Sequence, residues 1–376
     1  MKKAILIPDS FKGNMSSAEV CHIMEAAILR YYSEASVISV PVADGGEGSV
    51  DCFLEAMGGD KVTVSVKGPY FEDMESFYGR LPDGSVVIEM AACAGLPLVE
   101  GRLAAEKTTT YGVGQLIAHA IEGGAKKIIA GLGGSATNDG GCGAASALGV
   151  RFKRGDGEIF VPTGATLADI TDIDISGLHK GLSGVEIITM CDIDNPLCGP
   201  TGAAHVFGPQ KGADAAMVKT LDAGLAHMAS IVKSKLGKDI LDIPGAGAAG
   251  GMGGGMVAYL GSRLQMGIET VLDVVGFDQM LEGTDVVFSG EGKLDTQSLR
   301  GKVVIGVAGR TQRAGVPLIA VVGDIGDDIE KAYDMGVSAI FSTNRVAVPY
   351  SEARLRAKSD LALTMDNIIR FTTISV

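Results

Sequence analysis

The run GLGGSATNDGG, Gly131 to Gly141, follows the short apolar segment Ile128-Ile129-Ala130 and precedes the small-residue run Cys142 to Leu148. Locally this reads as a strand entering a turn rich in glycine and hydroxyl groups, with a tightly packed helix starting after Asn138 or Asp139. Such a turn presents backbone N–H groups to an anion, and a helix N-terminus adds the positive end of its dipole. The expectation is a phosphate site. The alternative is a small-residue turn that lets two elements approach closely.

The same order of strand, polar glycine loop and helix opens the chain twice. Ala4 to Pro8 reads as a buried strand, followed by Asp9-Ser10-Phe11-Lys12-Gly13 and a helix from about Ser17 to Tyr31 with Ser16 or Ser17 as its cap. Val37 to Val42 reads as the next strand, ending in Ala43-Asp44-Gly45-Gly46-Glu47-Gly48-Ser49 before a helix running to about Met57. From Lys61 the alternation breaks. Three strands are expected at Lys61 to Lys67, Glu75 to Arg80 and Ser85 to Met90, with a tight turn at Pro82-Asp83-Gly84. Arg151 to Gly184 reads as a polar connection, Val185 to Met190 as a buried strand, and Met217 to Lys233 as a helix. The glycine and alanine run Gly245 to Gly255 has apolar neighbours on both sides and reads as a packed, close-approach segment. Alternation resumes near residue 278 with strands at Val286 to Phe288, Leu318 to Val322 and Ala339 to Phe341.

Five parallel strands therefore lie at the two ends of the chain. The architecture expected is α/β, with an open parallel-sheet domain built from residues 1–60 and 278–376 and a second, mixed α/β domain inserted as residues 61–277. Two crossings between domains would give a hinge and a cleft.

Composition narrows the partners. The 376 residues carry a net charge of −13, and no basic tract interrupts them, so nucleic acid and anionic membrane are excluded as expected partners. No apolar stretch approaches a membrane span, and the N-terminal MKKAILIPDS has too short an apolar run for a signal peptide. The six cysteines are dispersed and are expected as free thiols in a cytoplasmic protein. Motifs of other chemistries are missing: there is no G-x-x-x-x-G-K-[ST], no G-x-S-x-G, no H-E-x-x-H, and no G-x-G-x-x-G after the first strand.

Four polar clusters follow buried strands, namely Asp9 to Gly13, Asp44 to Ser49, Asp192 to Asn195 and Ser289 to Asp295. Carboxylates on such loops can hold Mg²⁺ or take a proton, and the competing reading is that they cap helices. Asp192 and Asp194 have period-two spacing and are expected to face the same way.

These stretches resemble the type 1 glycerate kinase family. The resemblance is carried by Asp9-Ser10-Phe11-Lys12-Gly13, Asp44-Gly45-Gly46-Glu47-Gly48, GLGGSATNDGG, Cys191-Asp192-Ile193-Asp194-Asn195-Pro196-Leu197, Phe207-Gly208-Pro209-Gln210-Lys211-Gly212 and Ser289-Gly290-Glu291-Gly292-Lys293-Leu294-Asp295, and it spans the chain. It implies a flavodoxin-like domain with an inserted one, and ATP-dependent phosphorylation of D-glycerate with Mg²⁺, at C2 to give 2-phosphoglycerate and ADP. Transfer to C3, action on a related hydroxy acid, and a nucleotide- or anion-sensing protein are the alternatives, and a homodimer is allowed.

On that resemblance each group receives an expected role, since phosphoryl transfer demands alignment and charge neutralisation. Ser135, Thr137 and Asn138, with the amides of Gly133 and Gly134, are expected to hold phosphates. Lys12 is the first choice for a flexible cation at the transferred phosphate or the glycerate carboxylate, with Lys211 and Lys293 competing. Asp44, Asp192 and Asp295 are candidates for Mg²⁺ or its water shell, and Asp192 for the carboxylate that accepts or orients the hydroxyl proton. Arg80 or Arg300 could clamp the glycerate carboxylate.

Overall fold

The structure is a computed structural model and describes residues 1–11, 13–42, 45–296 and 298–374. Lys12 and Asp44 lie outside the described residues. The chain forms two compact units. One contains residues 1–42, Glu55–Met57 and 266–374, and the other contains residues 45–54 and Gly58–Gln265.

In the first unit, five strands make a wholly parallel sheet in the order Val337–Ser342, Leu318–Val322, Val286–Ser289, Lys3–Leu6, Ser36–Ser39. Parallel strands covered on both faces must be apolar throughout, and Ala4, Ile5, Leu6, Val287, Phe288 and Ala320 are completely buried. The chain winds in opposite directions from the middle. Lys3–Leu6 passes through the helix Ser17–Tyr31 to Ser36–Ser39 on one side; Val286–Ser289 passes through the helix Val303–Ala314 to Leu318–Val322 on the other. The reversal falls between Lys3–Leu6 and Val286–Ser289. In open α/β sheets this topological switch point leaves a crevice beyond the carboxyl ends of the strands, which is where ligands bind.

Ser16 opens the first helix through a capping box with Glu19, leaving Ser17 as its first residue. Its stripe of Val20, Met24 and Ile28 packs with Leu361 and Met365 of the long helix Tyr350–Thr372. Both apolar sets repeat at four-residue steps, so each helix turns one continuous face inward.

The second unit is built on a six-stranded mixed sheet in the order Arg263–Gln265, Glu186–Met190, Lys127–Gly131, Val86–Glu89, Asp73–Arg80, Asp60–Lys67. The first three pairings are parallel and the last two antiparallel. Register places Glu89, Gly131 and Met190 side by side, so the loops after these strands leave from one edge of the sheet.

Two readings of the sequence need correction here. The segment expected as a polar connection holds a small antiparallel sheet of Arg151–Lys153, Ile159–Phe160 and Asp172–Asp174. Its strands are too short for alternation to show: a single apolar residue, Phe152 or Ile173, sits between charged neighbours and is buried. The helix after the glycine turn begins at Cys142, later than Asn138 or Asp139, for a reason that lies in the Asp139 side chain.

Among the described residues, no helix is long and apolar enough to cross a membrane, and all six cysteines are free.

Candidate functional site

The turn after Lys127–Gly131 is pinned from several sides. The Gly133 amide donates to the Gly45 carbonyl at 2.9 Å, the Ala136 amide to Ala94 at 2.8 Å, and the Gly140 amide to Gly250 at 3.1 Å. Thr108 Oγ1 donates to the Ala136 carbonyl at 2.9 Å. Of the two glycine amides expected to meet a phosphate, that of Gly133 would have to surrender a backbone hydrogen bond to do so.

Asp139 explains the displaced helix start. Its carboxylate accepts from the Thr110 amide and hydroxyl, both at 2.8 Å, from the Gly141 amide at 3.1 Å and from the Gly143 amide at 3.2 Å. Burial raises its pKa above the ordinary carboxylate value, while these donors pull in the other direction. A side-chain anion thus occupies the helix N-terminus that the sequence reading assigned to a phosphate.

A set of side chains lies beside the turn. Lys211 is 2% exposed, and its Nζ donates to Ser135 Oγ at 2.8 Å and to the Thr137 carbonyl at 2.7 Å. An ammonium has three hydrogens, and these bonds use two. Burial pushes the amine down to about 7, although the Asp139 charge favours its protonated form. Beside it, Thr137 Oγ1 and both side-chain polar atoms of Asn138 are buried with no hydrogen-bond partner among the described residues. Each such group costs about 1–3 kcal/mol when left unpaired, so three together at one turn point to a ligand that pairs them. Lys211 was expected as a flexible cation. It is instead a fixed one, held at the base of the turn by a short turn of helix, Pro209–Lys211.

The segment that backs this turn is Ala248–Leu260, whose first turn is left-handed at Ala249, Gly250 and Gly251. A Cβ at Gly250 would stand 2.1 Å from the Thr137 carbonyl oxygen. Only glycine lets the two backbones touch.

Asp192 follows the neighbouring strand Glu186–Met190 and is half-buried; Asp194 is exposed. The strand ends at Met190, so the two-residue alternation that would aim both carboxylates together does not extend to them. His205 is exposed and lies 3.5 Å from Asp222.

The first unit carries its own polar groups at the switch point. The Asp9 amide donates to the Gly290 carbonyl at 2.7 Å, and Ser289 Oγ donates to the Ile7 carbonyl at 2.8 Å, which ties the two strand ends together. Glu291 is 7% exposed; its Oε2 accepts from Ser298 Oγ at 2.9 Å, and its Oε1 has no partner among the described residues. Asp295 caps a turn, with Oδ1 accepting from the Ser298 amide at 3.4 Å. Lys293 is exposed on the two-residue strand Lys293–Leu294, which pairs with Asp324–Ile325. Among the described residues, no group of three or more His, Cys, Asp or Glu side chains is placed to hold a metal ion.

Comparison with known proteins agrees with this architecture. The sequence pattern of the Glycerate kinase family matches residues 4–373. A glycerate kinase of Bacillus cereus is 43% identical over 368 residues, which is 97% of this chain and 97% of that protein. A glycerate 2-kinase of Escherichia coli is 42% identical over 346 residues, 90% of each chain. The crystal structure of a glycerate kinase 2 from Salmonella typhimurium LT2 is 39% identical and superposes with a TM-score of 0.88, covering 99% of this chain and 98% of that one.

Proposed function

We propose, for a chain that belongs to the glycerate kinase family, that it transfers the γ-phosphoryl group of ATP to the C2 hydroxyl of D-glycerate, giving 2-phosphoglycerate and ADP. The observation that carries this reading in the structure is the buried Lys211 amine beside the side chains of Thr137 and Asn138, which are unpaired among the described residues. A phosphate supplies acceptors for Thr137 Oγ1, Asn138 Nδ2 and the third Lys211 hydrogen, and its charge returns the amine to the ammonium form. Ser135 Oγ already accepts from Lys211, so its own hydrogen is directed to a further acceptor such as a second phosphate oxygen.

Magnesium is assigned to the nucleotide, arriving on its phosphates. Mg²⁺ keeps much of its water and takes one or two protein carboxylates in sites of this kind. Asp44 and Asp192 are the carboxylates proposed to meet it or its waters, and Asp295 is left to its turn. Lys12 and Lys293 are proposed as the cations that neutralise the transferred group or the glycerate carboxylate. The protein's contribution is alignment and electrostatics, which dominate phosphoryl transfer.

The test is phosphorus NMR of the products formed from ATP, Mg²⁺ and D-glycerate, with an Asp192→Asn sample alongside. A 2-phosphoglycerate resonance is expected, with turnover lost and nucleotide binding kept in the variant. Only 3-phosphoglycerate would overturn the position of transfer, and nucleotide binding with no phosphorylated product would overturn the activity.

A further inference from the structure

Glu291 has a combination of properties found nowhere else among the described acids. It follows the central strand of a parallel sheet, at the point where the chain reverses its winding. Its backbone is fixed on three sides: the Gly323 amide donates to its carbonyl at 3.0 Å, the Asp324 amide to Gly292 at 3.1 Å, and the Asp9 amide to Gly290 at 2.7 Å. A Cβ at Gly290 would meet the Val321 carbonyl oxygen at 2.1 Å, so the loop approaches the next strand as closely as backbone can. One carboxylate oxygen is held by Ser298 and the other, also buried, has no partner among the described residues.

A buried carboxylate with an open lone pair is destabilising unless a ligand completes it. The ligand must bring a donor, since an ionised carboxylate only accepts. Of the polar groups on the two substrates, the phosphates and the glycerate carboxylate are acceptors and are repelled here. A hydroxyl fits. We propose that Glu291 is the base of the reaction, its Oε1 taking the proton of the glycerate C2 hydroxyl as that oxygen attacks phosphorus.

The inference rests on the kinase reading and adds to it a residue that acts on the reacting atoms. In the step, the C2 oxygen–hydrogen bond breaks and the proton goes to Glu291 Oε1. The C2 oxygen forms its bond to the γ-phosphorus, the bond from that phosphorus to the bridging oxygen breaks, and its electron pair leaves on ADP. Glu291 then returns its proton to solvent.

The electrostatics suit the task. Burial pushes Glu291 up to about 7; Asp9 and Asp295 push in the same direction, and the Ser298 hydrogen bond and Lys302 oppose them. A base poised near the working pH is the most effective one.

Steady-state kinetics of Glu291→Gln and Ser298→Ala, as full-length proteins across pH 5.5 to 9, test the proposal. The glutamine variant is expected to lose on the order of 100-fold or more in kcat. It should keep its KM for ATP and lose the acidic limb of its kcat/KM profile for glycerate. Ser298→Ala removes a hydrogen bond that favours the charged form, so its acidic limb should move to higher pH. A Glu291→Gln enzyme within threefold of wild type in kcat, or one that keeps the acidic limb, overturns the proposal, as does an unmoved limb in Ser298→Ala. Wild-type protein that makes no phosphoglycerate would fail the kinase reading itself, a result distinct from an active wild type with an equally active variant.

Discussion

Lys211 is an amine held away from water between two acceptors, and its environment sets a sign that can be measured. Its folded-state pKa, about 7, lies below the ordinary amine value of 10.5. Between those values the unfolded chain holds the proton and the folded one does not, so this residue makes the ligand-free protein more stable as pH rises and less stable as pH falls toward 7. Lys211→Met keeps most of the volume and removes the charge. The variant is expected to match or exceed the wild-type melting temperature at pH 7, with the gap closing toward pH 10. Its affinity for ATP should fall at least tenfold. A variant that melts lower than wild type at pH 7 but binds ATP normally would assign Lys211 to packing alone. The same linkage makes nucleotide binding at pH 8 an event of proton uptake, since phosphate recharges the amine. Calorimetry in two buffers of different ionisation enthalpy reads the proton directly. Glu291 has the opposite sign: raised from 4.5 to about 7, its contribution is full below pH 4.5 and is lost as pH rises through 7.

At the scale of elements, the glycine turn and the left-handed start of Ala248–Leu260 are two halves of one construction. Gly250→Ala would put a methyl group 2.1 Å from the Thr137 carbonyl at a φ of +64°. The expected cost is about 1–3 kcal/mol, seen as a lower denaturation midpoint, with kcat reduced about tenfold because Thr137 moves. Gly124→Ala is the matched control, with a φ of +88° and nothing within 4 Å of the new Cβ. It carries strain without a clash and should leave kcat unchanged. These elements also mark how far the sequence could be read. The strand Lys127–Gly131 and the special character of the turn were legible because apolar runs and glycine clusters are local signals. The partners that fix the turn were not, because Asp139 is engaged by Thr110, 29 residues away, and Ser135 by Lys211, 76 residues away. Sequence likewise offered Ser289 to Asp295 as a polar cluster and singled out Asp295, not Glu291, among its acids. Burial separates them, sending Asp295 to a turn and leaving Glu291 with an oxygen that has no partner among the described residues.

For the molecule as a whole, the proposed roles divide between the two units, and hydrogen exchange can follow each. A non-hydrolysable ATP analogue is expected to slow exchange in peptides covering 131–141 and 205–212. Glycerate is expected to act on peptides covering 289–300. Nucleotide protection confined to 289–300 would reverse the assignment. The parallel sheet of the first unit has a further consequence, which concerns synthesis. Lys3–Leu6 lies between Ser36–Ser39, made almost at once, and Val286–Ser289, made after residues 40–285 have been translated. At roughly 5–20 residues per second, the interval is on the order of 10 to 50 seconds. Throughout it, Ile5 and Leu6 emerge from the ribosome without the strand that buries them. The inserted unit can fold during this wait, and the N-terminal strands cannot. Nascent chains arrested near residue 300 should therefore be cut by protease within residues 1–40 while the inserted unit resists, and a chaperone that shelters an unpaired apolar strand is expected to bind them.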